Sequence, residues 1–366
     1  MVNHTYEPLV EITRGEIVES IHFGSLVICD NTGKVHFHVG DPEQVTFLRS
    51  TAKPLQVLAL IENPKSHQFH FTDEEIAIMC ASHSGTDQHV AVLRKLQKKI
   101  GVQEKDLQCG VHLPFDRITA NHIIRGEEEL SSLRHNCSGK HSGMLALASI
   151  LSAPKENYLD PGNPAQTLIL KTCGEMFDFP SAQFKMGVDG CSAPVFAVPM
   201  HNAARAYALL CQPSTLKSNR KEACEKITQA MMAHPFLVAG PERFDTALME
   251  ALAGKIIAKT GAEGYFGVGI MPDAQYPGSP ALGIMVKITD GDLKDRARSV
   301  VLVAILQSLG LLNPDTQKTL NEYGSRQINN WRKIPIGEIR PSSMLLQSLA
   351  AWKNGKNENH SEFNRK

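Results

Sequence analysis

The order in which strand-like and helical stretches follow one another constrains the fold more than any other feature of the chain. The first forty residues alternate apolar and polar side chains around a turn signal at Asn31-Thr32-Gly33, which predicts an antiparallel hairpin or meander. The chain after Ser50 is mainly helical in pattern, and the runs KIIAKTG, YFGVGIM and ALGIMVKI then predict further strands. If both strand groups share one sheet, the helical block is an insertion between them.

These blocks predict an α/β (α+β) fold, in which an antiparallel sheet is flanked by helices and a helical subdomain leaves a cleft beside the sheet. We expect a single domain over residues 1–345, with sheet parts at about 1–49 and 255–345 and a helical subdomain at about 50–254. The polar, charged segment 346–366 predicts a flexible tail.

Local signals place individual helices within this plan. Thr72 and Glu75 form a capping-box pattern, and Asn163 followed by proline predicts a helix that runs to about Phe177. Asp292 is expected to cap a long helix that starts directly after it. The run KMGVDGCSAP reads as a glycine-rich turn.

The balance of charges excludes several kinds of partner. Lys and Arg together number 38 and Asp and Glu also number 38, so the formal net charge is zero. Binding to nucleic acid or to a membrane surface needs a basic excess or patch, so neither is expected. The N-terminal sequence lacks the basic start and apolar stretch of a signal peptide. We therefore expect a cytoplasmic protein, whose eight cysteines are free thiols, buried small residues or metal ligands.

Three short segments have the residue types that serine nucleophiles require. Ser50 and Lys53 are three apart, so on a helix the lysine amine can reach the serine hydroxyl and act as its base once burial or a second cation suppresses its charge. Ser82 and Ser84 lie near a helix end, and Lys259 begins Lys-Thr-Gly on a predicted strand. A capping serine with a solvated lysine is the alternative for the first segment, and a small-residue helix stop is the alternative for the second.

The order of these segments adds information that each one lacks alone. Ser-x-x-Lys, then Ser-x-Ser in a helical block, then Lys-Thr-Gly on a late strand is the order found in serine β-lactamases and penicillin-binding proteins. The predicted sequence of sheet, helices and sheet agrees with it. Together they predict a serine nucleophile activated by lysine.

Two cysteines lie in unusual local settings. Cys137 precedes a helix start, where backbone N–H groups and the helix dipole favour a thiolate, and Cys191 lies in a glycine-flanked turn. Two thiolates with a nitrogen donor and a water can bind Zn²⁺; His141 is the conventional nitrogen and Lys140 an unusual one, since it must first lose its proton. Two buried free thiols, or a Cys137 nucleophile with His141 as its base, are the alternatives.

The strings around these residues resemble one family. LRSTAKP (48–54), ASHSG (81–85), HNCSGKHSGM (135–144), VDGCSAP (188–194), AGPER (239–243) and KTGAEG (259–264) look like the asparaginase II family, the class 3 L-asparaginases, over about residues 8–340. The resemblance implies a fold similar to serine β-lactamases and glutaminases, and a homodimer. It also implies a Ser50–Lys53 pair, a Ser82–Lys259 pair, and a zinc ion held by Cys137, Lys140 and Cys191.

The chemistry implied is hydrolysis of the side-chain amide of L-asparagine. We expect Ser50, in preference to Ser82, to attack the amide carbon while a lysine transfers the proton to the departing ammonia. A free amino acid also carries an α-carboxylate and an α-ammonium. The candidate residues for binding these groups and the surrounding loop are Arg49, His83, Asp189, Arg243 and Glu263; His83 is equally well explained as a hydrogen-bonding loop residue.

Two alternatives from other classes remain at this point. A β-lactamase-like amidase or peptidase acting on cell-wall material would use the same serines but would need export. A zinc or thiol protein would use Cys137 and Cys191, and its function would survive loss of Ser50 and Ser82.

Overall fold

The computed structural model describes residues 5–363, and side chains are described as far as residue 354. The strands are β1 (Glu7–Arg14), β2 (Ile17–Asp30), β3 (Val35–Val39), β4 (Val45–Phe47), β5 (Lys185–Val188), β6 (Pro194–Pro199), β7 (Ile256–Thr260), β8 (Tyr265–Ile270), β9 (Leu282–Ile288), β10 (Arg326–Asn329) and β11 (Pro335–Pro341). The α-helices are α1 (Lys53–Ile61), α2 (Asp73–Met79), α3 (Asp87–Ile100), α4 (Arg117–Ile124), α5 (Ser138–Ile150), α6 (Pro164–Phe177), α7 (Met200–Cys211), α8 (Ser218–Ala233), α9 (Pro235–Val238), α10 (Phe244–Ala251), α11 (Arg298–Ser308), α12 (Pro314–Thr319) and α13 (Ser343–Phe363).

The main sheet joins the two ends of the chain, as the sequence predicted. It has eight strands in the order β10-β11-β1-β2-β9-β8-β7, with β3 paired to β2, and its pairings are antiparallel. The central pairing joins β2 to β9, with Leu26 opposite Val286. The predicted class, an α/β arrangement of an antiparallel sheet flanked by helices, is therefore confirmed.

The segment 50–254 is less purely helical than predicted. A second sheet of three strands, in the order β4-β6-β5, lies partly within it. The run predicted as a glycine-rich turn is instead a hairpin, in which β5 and β6 are joined through residues 189–193, with Val188 opposite Pro194. The prediction missed it because β5 is short and largely exposed, so its apolar alternation is weak. This hairpin fixes Asp189 and Cys191 beside the end of β4.

Helix ends follow their capping residues, with one displacement. The Thr72–Glu75 capping box is present, and α6 begins at Pro164 and ends at Phe177 as expected. Asp292 does accept backbone N–H groups, but those of residues 296, 297 and 298, at 2.8, 2.9 and 3.0 Å. The helix consequently begins at Arg298 rather than directly after Asp292.

The segment predicted as a tail falls mostly within α13, which continues to Phe363. The first part of this helix packs against the sheet because Leu345 and Leu349 are buried and Trp352 stacks on Phe37, with ring centroids 4.8 Å apart. The prediction overlooked these apolar positions because the residues around them are polar. Within residues 5–363 there is no helix with the length and apolar character that a bilayer crossing needs.

Candidate active site

Ser50 lies at the junction of a turn and a helix. It belongs to a short 3₁₀ turn, Arg49–Ala52, that leads into α1, which begins at Lys53. The end of β7 packs closely against this turn: a Cβ on Gly261 would lie 3.1 Å from the carbonyl oxygen of Leu48 and 3.2 Å from Cγ2 of Thr51. The glycine of Lys-Thr-Gly thus lets the strand approach the serine turn, which brings the first and third sequence segments together.

Lys53 forms its hydrogen bond with Ser82, not with Ser50. Its Nζ lies 2.9 Å from Ser82 Oγ, 2.5 Å from the carbonyl oxygen of Ala81 and 3.3 Å from that of Asn136. No hydrogen bond joins Ser50 to Lys53 within residues 5–363. The expected Ser50–Lys53 pairing thus differs from the hydrogen bond seen here, because the lysine side chain leaves the first turn of α1 toward the end of α2. Sequence proximity did not decide its partner.

Lys259 is buried in the same region but has a different partner. Its Nζ donates to the carbonyl oxygen of Thr260 at 2.8 Å, and in the described part of the chain it forms no hydrogen bond with Ser82. Burial lowers the pKa of Lys259 to about 7; nearby Asp245 opposes this shift, and the positive charges of Lys53 and Arg243 add to it. A lysine with this pKa is partly neutral at physiological pH and can accept a proton.

The pKa of Lys53 is also lowered, mainly by burial. The side chain is fully buried and has no carboxylate partner within the described residues. Nearby Cys137 favours its charged form, and Lys140 disfavours it. The amine is thus desolvated and hydrogen-bonded to a hydroxyl, which is the environment that turns a lysine into a base.

The two cysteines of interest meet beside this lysine. Cys137 immediately precedes α5, and Cys191 comes from the β5–β6 hairpin, yet the two sulfurs share a hydrogen bond. That bond from Cys191 holds the pKa of Cys137 well below its usual value, and the lysine charges of Lys53 and Lys140 add to the effect against that of burial. Lys140 Nζ lies 3.0 Å from Cys191 Sγ, and the thiolate charges raise the pKa of Lys140 although the residue is buried.

Close packing sets the position of this thiol group relative to Ser82. A Cβ on Gly139 would lie only 2.0 Å from the carbonyl oxygen of Ile78. Only glycine therefore allows the start of α5 to rest directly on the last turn of α2. Since Ser82 follows α2 and Lys140 follows Gly139, this contact sets the separation between the serine and the thiols.

The donor set of Cys137, Lys140 and Cys191 fits a zinc ion. Residues 5–363 contain no cluster of three or more His, Cys, Asp or Glu side chains suited to a metal, so any metal here needs the lysine as a donor. Two sulfurs and one amine converge and all three residues are buried. Zinc binds thiolates and nitrogen donors and would replace the protons that this cluster otherwise shares.

Three of the five candidate substrate-binding residues lie together at the end of the small sheet. Arg49 NH2 lies 2.8 Å from Asp189 Oδ1, and its NH1 is 3.9 Å from Glu263 Oε1. Arg49 and Glu263 both have left-handed backbone conformations, with φ of 50° and 59°. Side chains other than glycine adopt this conformation at a cost, and such strain is concentrated at functional sites.

The other two candidates lie elsewhere. The ring of His83 is buried, its Nε2 lies 2.9 Å from Ser138 Oγ, and its Nδ1 accepts the backbone N–H of Gly85. Both ring nitrogens are thus occupied, so His83 is a loop hydrogen-bonder, the alternative that the sequence also allowed. Arg243 lies with its guanidinium 5.5 Å from the ring centroid of Phe115, on the far side of β7 from Lys259.

Sequence reasoning missed two residues that act on the lysines. Asp245 is buried, and its carboxylate accepts the backbone N–H of Thr260 at 2.5 Å, next to Lys259. The backbone carbonyl of Asn136 accepts from Lys53, while the N–H of Asn136 donates to His112 Nε2 at 3.2 Å. A backbone acceptor leaves no trace in the sequence, and Asp245 follows no recognisable motif.

Comparison with known proteins agrees with the serine, lysine and thiol positions. A family model for L-asparaginase II matches residues 10–341. No curated protein matches the chain.

Solved structures with a similar fold are distant. A probable glutaminase from Bacillus subtilis, complexed with 6-diazo-5-oxo-L-norleucine, is 14% identical with a TM-score of 0.40, covering 79% of this chain and 84% of that chain. A Bacillus glutaminase is 14% identical with a TM-score of 0.37, covering 79% and 91%. A protein called Mglu is 13% identical with a TM-score of 0.42, covering 80% and 66%. Likeness at this level carries no argument about activity.

Proposed function

The chain belongs to the L-asparaginase II family, and we propose that it is an amidohydrolase that converts L-asparagine to L-aspartate and ammonia. The observation that carries the proposal is the Lys53 amine, fully buried and 2.9 Å from the hydroxyl of Ser82. A buried lysine without a carboxylate partner has little structural use, but it is suited to remove a proton from a hydroxyl.

We assign the nucleophile to Ser50 and the proton relay to Ser82. Ser50 is half-buried, whereas Ser82 is buried between Lys53 and the segment that supplies the carbonyl of Val238. A substrate carbonyl can reach a half-buried hydroxyl more readily than an enclosed one. The location of Ser50 beside Arg49, which has a strained backbone, also favours it as the group that touches substrate.

The reaction follows from these positions. Ser50 Oγ bonds to the side-chain amide carbon, and its proton passes toward the neutral lysine amines, with the Ser82 hydroxyl bonded to Lys53. The protonated lysine then supplies a proton to the amide nitrogen, the C–N bond breaks, and ammonia leaves. Water attacks the resulting ester, again with lysine as base, and L-aspartate is released with Ser50 restored.

The ends of the substrate match the charges beside Ser50. We propose that Arg49 binds the α-carboxylate through its guanidinium, which can hold a carboxylate in a bidentate pair. Asp189 and Glu263 would then face the α-ammonium. Arg49 is already oriented by Asp189 at 2.8 Å, so the site needs little rearrangement before it binds a substrate.

Cys137, Lys140 and Cys191 would hold zinc as a resident ion, and this assignment is part of the proposal. When bound there, zinc supplies a Lewis-acid centre that polarises or orients an oxygen of the substrate. The residues of this chain carry the rest: the thiol group lies next to Lys53, so its net charge sets how readily that lysine becomes neutral. The homodimer and the cytoplasmic location stay predictions.

Ammonia release tests the function directly. L-asparagine, L-glutamine and D-asparagine would be supplied to the wild-type protein and to Ser50→Ala, Ser82→Ala and Ser66→Ala. Ser66 is a buried serine that donates to the carbonyl of Ile61 at 3.4 Å, so Ser66→Ala is the matched control. We expect fast release from L-asparagine in the wild type and the control, and loss in Ser50→Ala and Ser82→Ala with unchanged circular dichroism.

A covalent label separates the two serines. A diazo-ketone analogue of asparagine should modify the peptide that contains Ser50, as detected by mass spectrometry. Labelling of Ser82 instead would reverse their roles. Ammonia release that survives both serine substitutions would overturn serine catalysis and move the function to the thiols.

A further inference from the structure

A second cavity lies behind the catalytic residues. It has a volume of about 370 Å³, and its lining includes Glu242, Arg243, Ser299, Glu322, Tyr323 and Arg326. We call it the rear cavity. It lies between the start of α10, the first turn of α11 and the start of β10, so its walls come from segments that are far apart in sequence.

The rear cavity and the catalytic residues occupy opposite faces of the same strand. Successive side chains of a strand point to opposite faces of a sheet. Lys259 pairs with Gly267, which faces Tyr207 of α7, whereas the next residue, Thr260, lines the rear cavity. The cavity is therefore not the substrate pocket beside Ser50, although one strand separates the two.

The cavity holds charges of both signs that have no partners. Within residues 5–363, Arg243 and Arg326 form no ion pair, and Glu242 and Glu322 form none either. Arg298, by contrast, is fully engaged with Gly261, Asp292 and Asp295. Unpaired guanidiniums beside unpaired carboxylates suit a ligand that itself carries both a carboxylate and an ammonium.

One buried polar group in the lining also lacks a partner. Ser299 is only 3% exposed, it lines the rear cavity, and its hydroxyl has no hydrogen-bond partner. A buried hydroxyl without a partner carries a desolvation cost, which a ligand in the cavity would remove. The start of α11 does not supply the attraction, since Asp292 already accepts its first backbone N–H groups.

We propose that the rear cavity is a second, non-catalytic binding site for a small dicarboxylic α-amino acid, with L-aspartate as its natural ligand. Arg243 and Arg326 would bind the two carboxylates, Glu242 and Glu322 would face the ammonium, and Ser299 would complete the contacts. The choice of L-aspartate rests on the proposed function, because it is the product released on the other face of β7.

Occupation of this site should act on the catalytic lysine. The positive charge of Arg243 is one of the influences that lower the pKa of Lys259. A ligand carboxylate paired with Arg243 would counter that charge, leave more Lys259 protonated, and slow the reaction. The site therefore acts as a product sensor that does not compete with the substrate.

Calorimetric titration with L-aspartate tests the proposal without requiring turnover. The proteins are the wild type, Arg49→Met, Arg326→Met and, as matched control, Arg332→Met, an exposed arginine on the loop after β10. We expect two sites in the wild type and the control. Arg49→Met should lose the catalytic site alone, and Arg326→Met should lose the rear site, with affinity at least tenfold weaker. Ser299→Ala should weaken the same site if Arg326→Met does not fold.

Activity assays add the second readout. Arg326→Met should keep the basal rate of ammonia release and lose the noncompetitive inhibition by L-aspartate. A single site that Arg49→Met removes and Arg326→Met leaves intact would overturn the proposal, even if ammonia release stands. An Arg326-dependent site in a protein that releases no ammonia would support the site while it overturns the proposed function.

Discussion

Three buried lysines converge on the candidate site, and the regions on either side treat them differently. On the hydroxyl side, Lys53 and Lys259 face serine hydroxyl and carbonyl oxygens, and burial lowers the pKa of both. On the thiol side, Lys140 faces Cys191 at 3.0 Å, and the thiolate charges raise its pKa although it is equally buried. Burial alone does not determine whether a lysine becomes a base; the charge of its neighbours decides.

The difference implies a division of labour. Lysines without an anionic partner lose their protons readily and can move a proton during a reaction. A lysine beside thiolates keeps its proton until something else neutralises the sulfur charge, and a metal ion is the natural replacement. The hydroxyl side is therefore expected to perform proton transfer, and the thiol side to bind a cation.

The largest effect is expected when the base is removed from the hydroxyl side. Lys53→Met should lower kcat for L-asparagine by about 10²–10⁴-fold, the usual contribution of a general base. Lys140→Met should lower it far less, because that lysine is not the proton acceptor. Steady-state ammonia release measures both; equal losses in the two variants would erase the proposed division between the sides.

Removing a sulfur from the thiol side should have the next largest effect. Cys137→Ser should abolish zinc binding, taking the metal content from roughly one ion per chain to near zero, and lower kcat/KM by about 10–100-fold, as is typical of disturbed metal sites. Plasma mass spectrometry measures the metal. Cys224→Ala, a buried cysteine elsewhere in the core, should keep the full amount, and zinc bound equally by both variants would contradict the assignment.

The contact that spaces the two sides can be changed at one atom. Gly139→Ala places a Cβ 2.0 Å from the carbonyl oxygen of Ile78, so α5 must move away from α2. We expect a loss of about 1–3 kcal/mol in the free energy of unfolding, the usual cost of overpacking, measured by denaturant titration. Gly162→Ala is the control, because the added Cβ is 3.4 Å from a single flexible carboxylate oxygen; equal stability of the two variants would show that the spacing is not set by Gly139.

The smallest effect concerns pH. Lys259 must be neutral to accept a proton, and its pKa is lowered to about 7, so activity should be nearly constant above pH 7. Below that value the protonated fraction grows, and kcat should fall about tenfold per pH unit. A pH–rate profile of the wild type should show this limb and one of Lys259→Arg should not, because arginine stays charged. An identical limb in both would assign it to another group, Lys53 first.

The sequence determined the larger features because they depend on local patterns. Alternation in the first forty residues and in the late strands requires a sheet with one buried face, and Pro164 or the Thr72–Glu75 pair can only start a helix. The motif strings identified the family and the residues of the site, since serine, lysine and cysteine at those spacings carry their chemistry regardless of how the chain folds. Even the alternative role for His83 was visible as a possibility.

Only the tertiary structure decided which residues meet. Lys53 contacts Ser82, 29 positions away, rather than Ser50 three positions away, because the direction of its side chain depends on how α1 and α2 pack. Asp245 reaches Thr260 through a buried bond that no motif announces, and the rear cavity exists only where α10, α11 and β10 come together. Sequence spacing fixes neighbours along one helix or strand, whereas contacts between elements depend on close packing, such as that of Gly139 on Ile78.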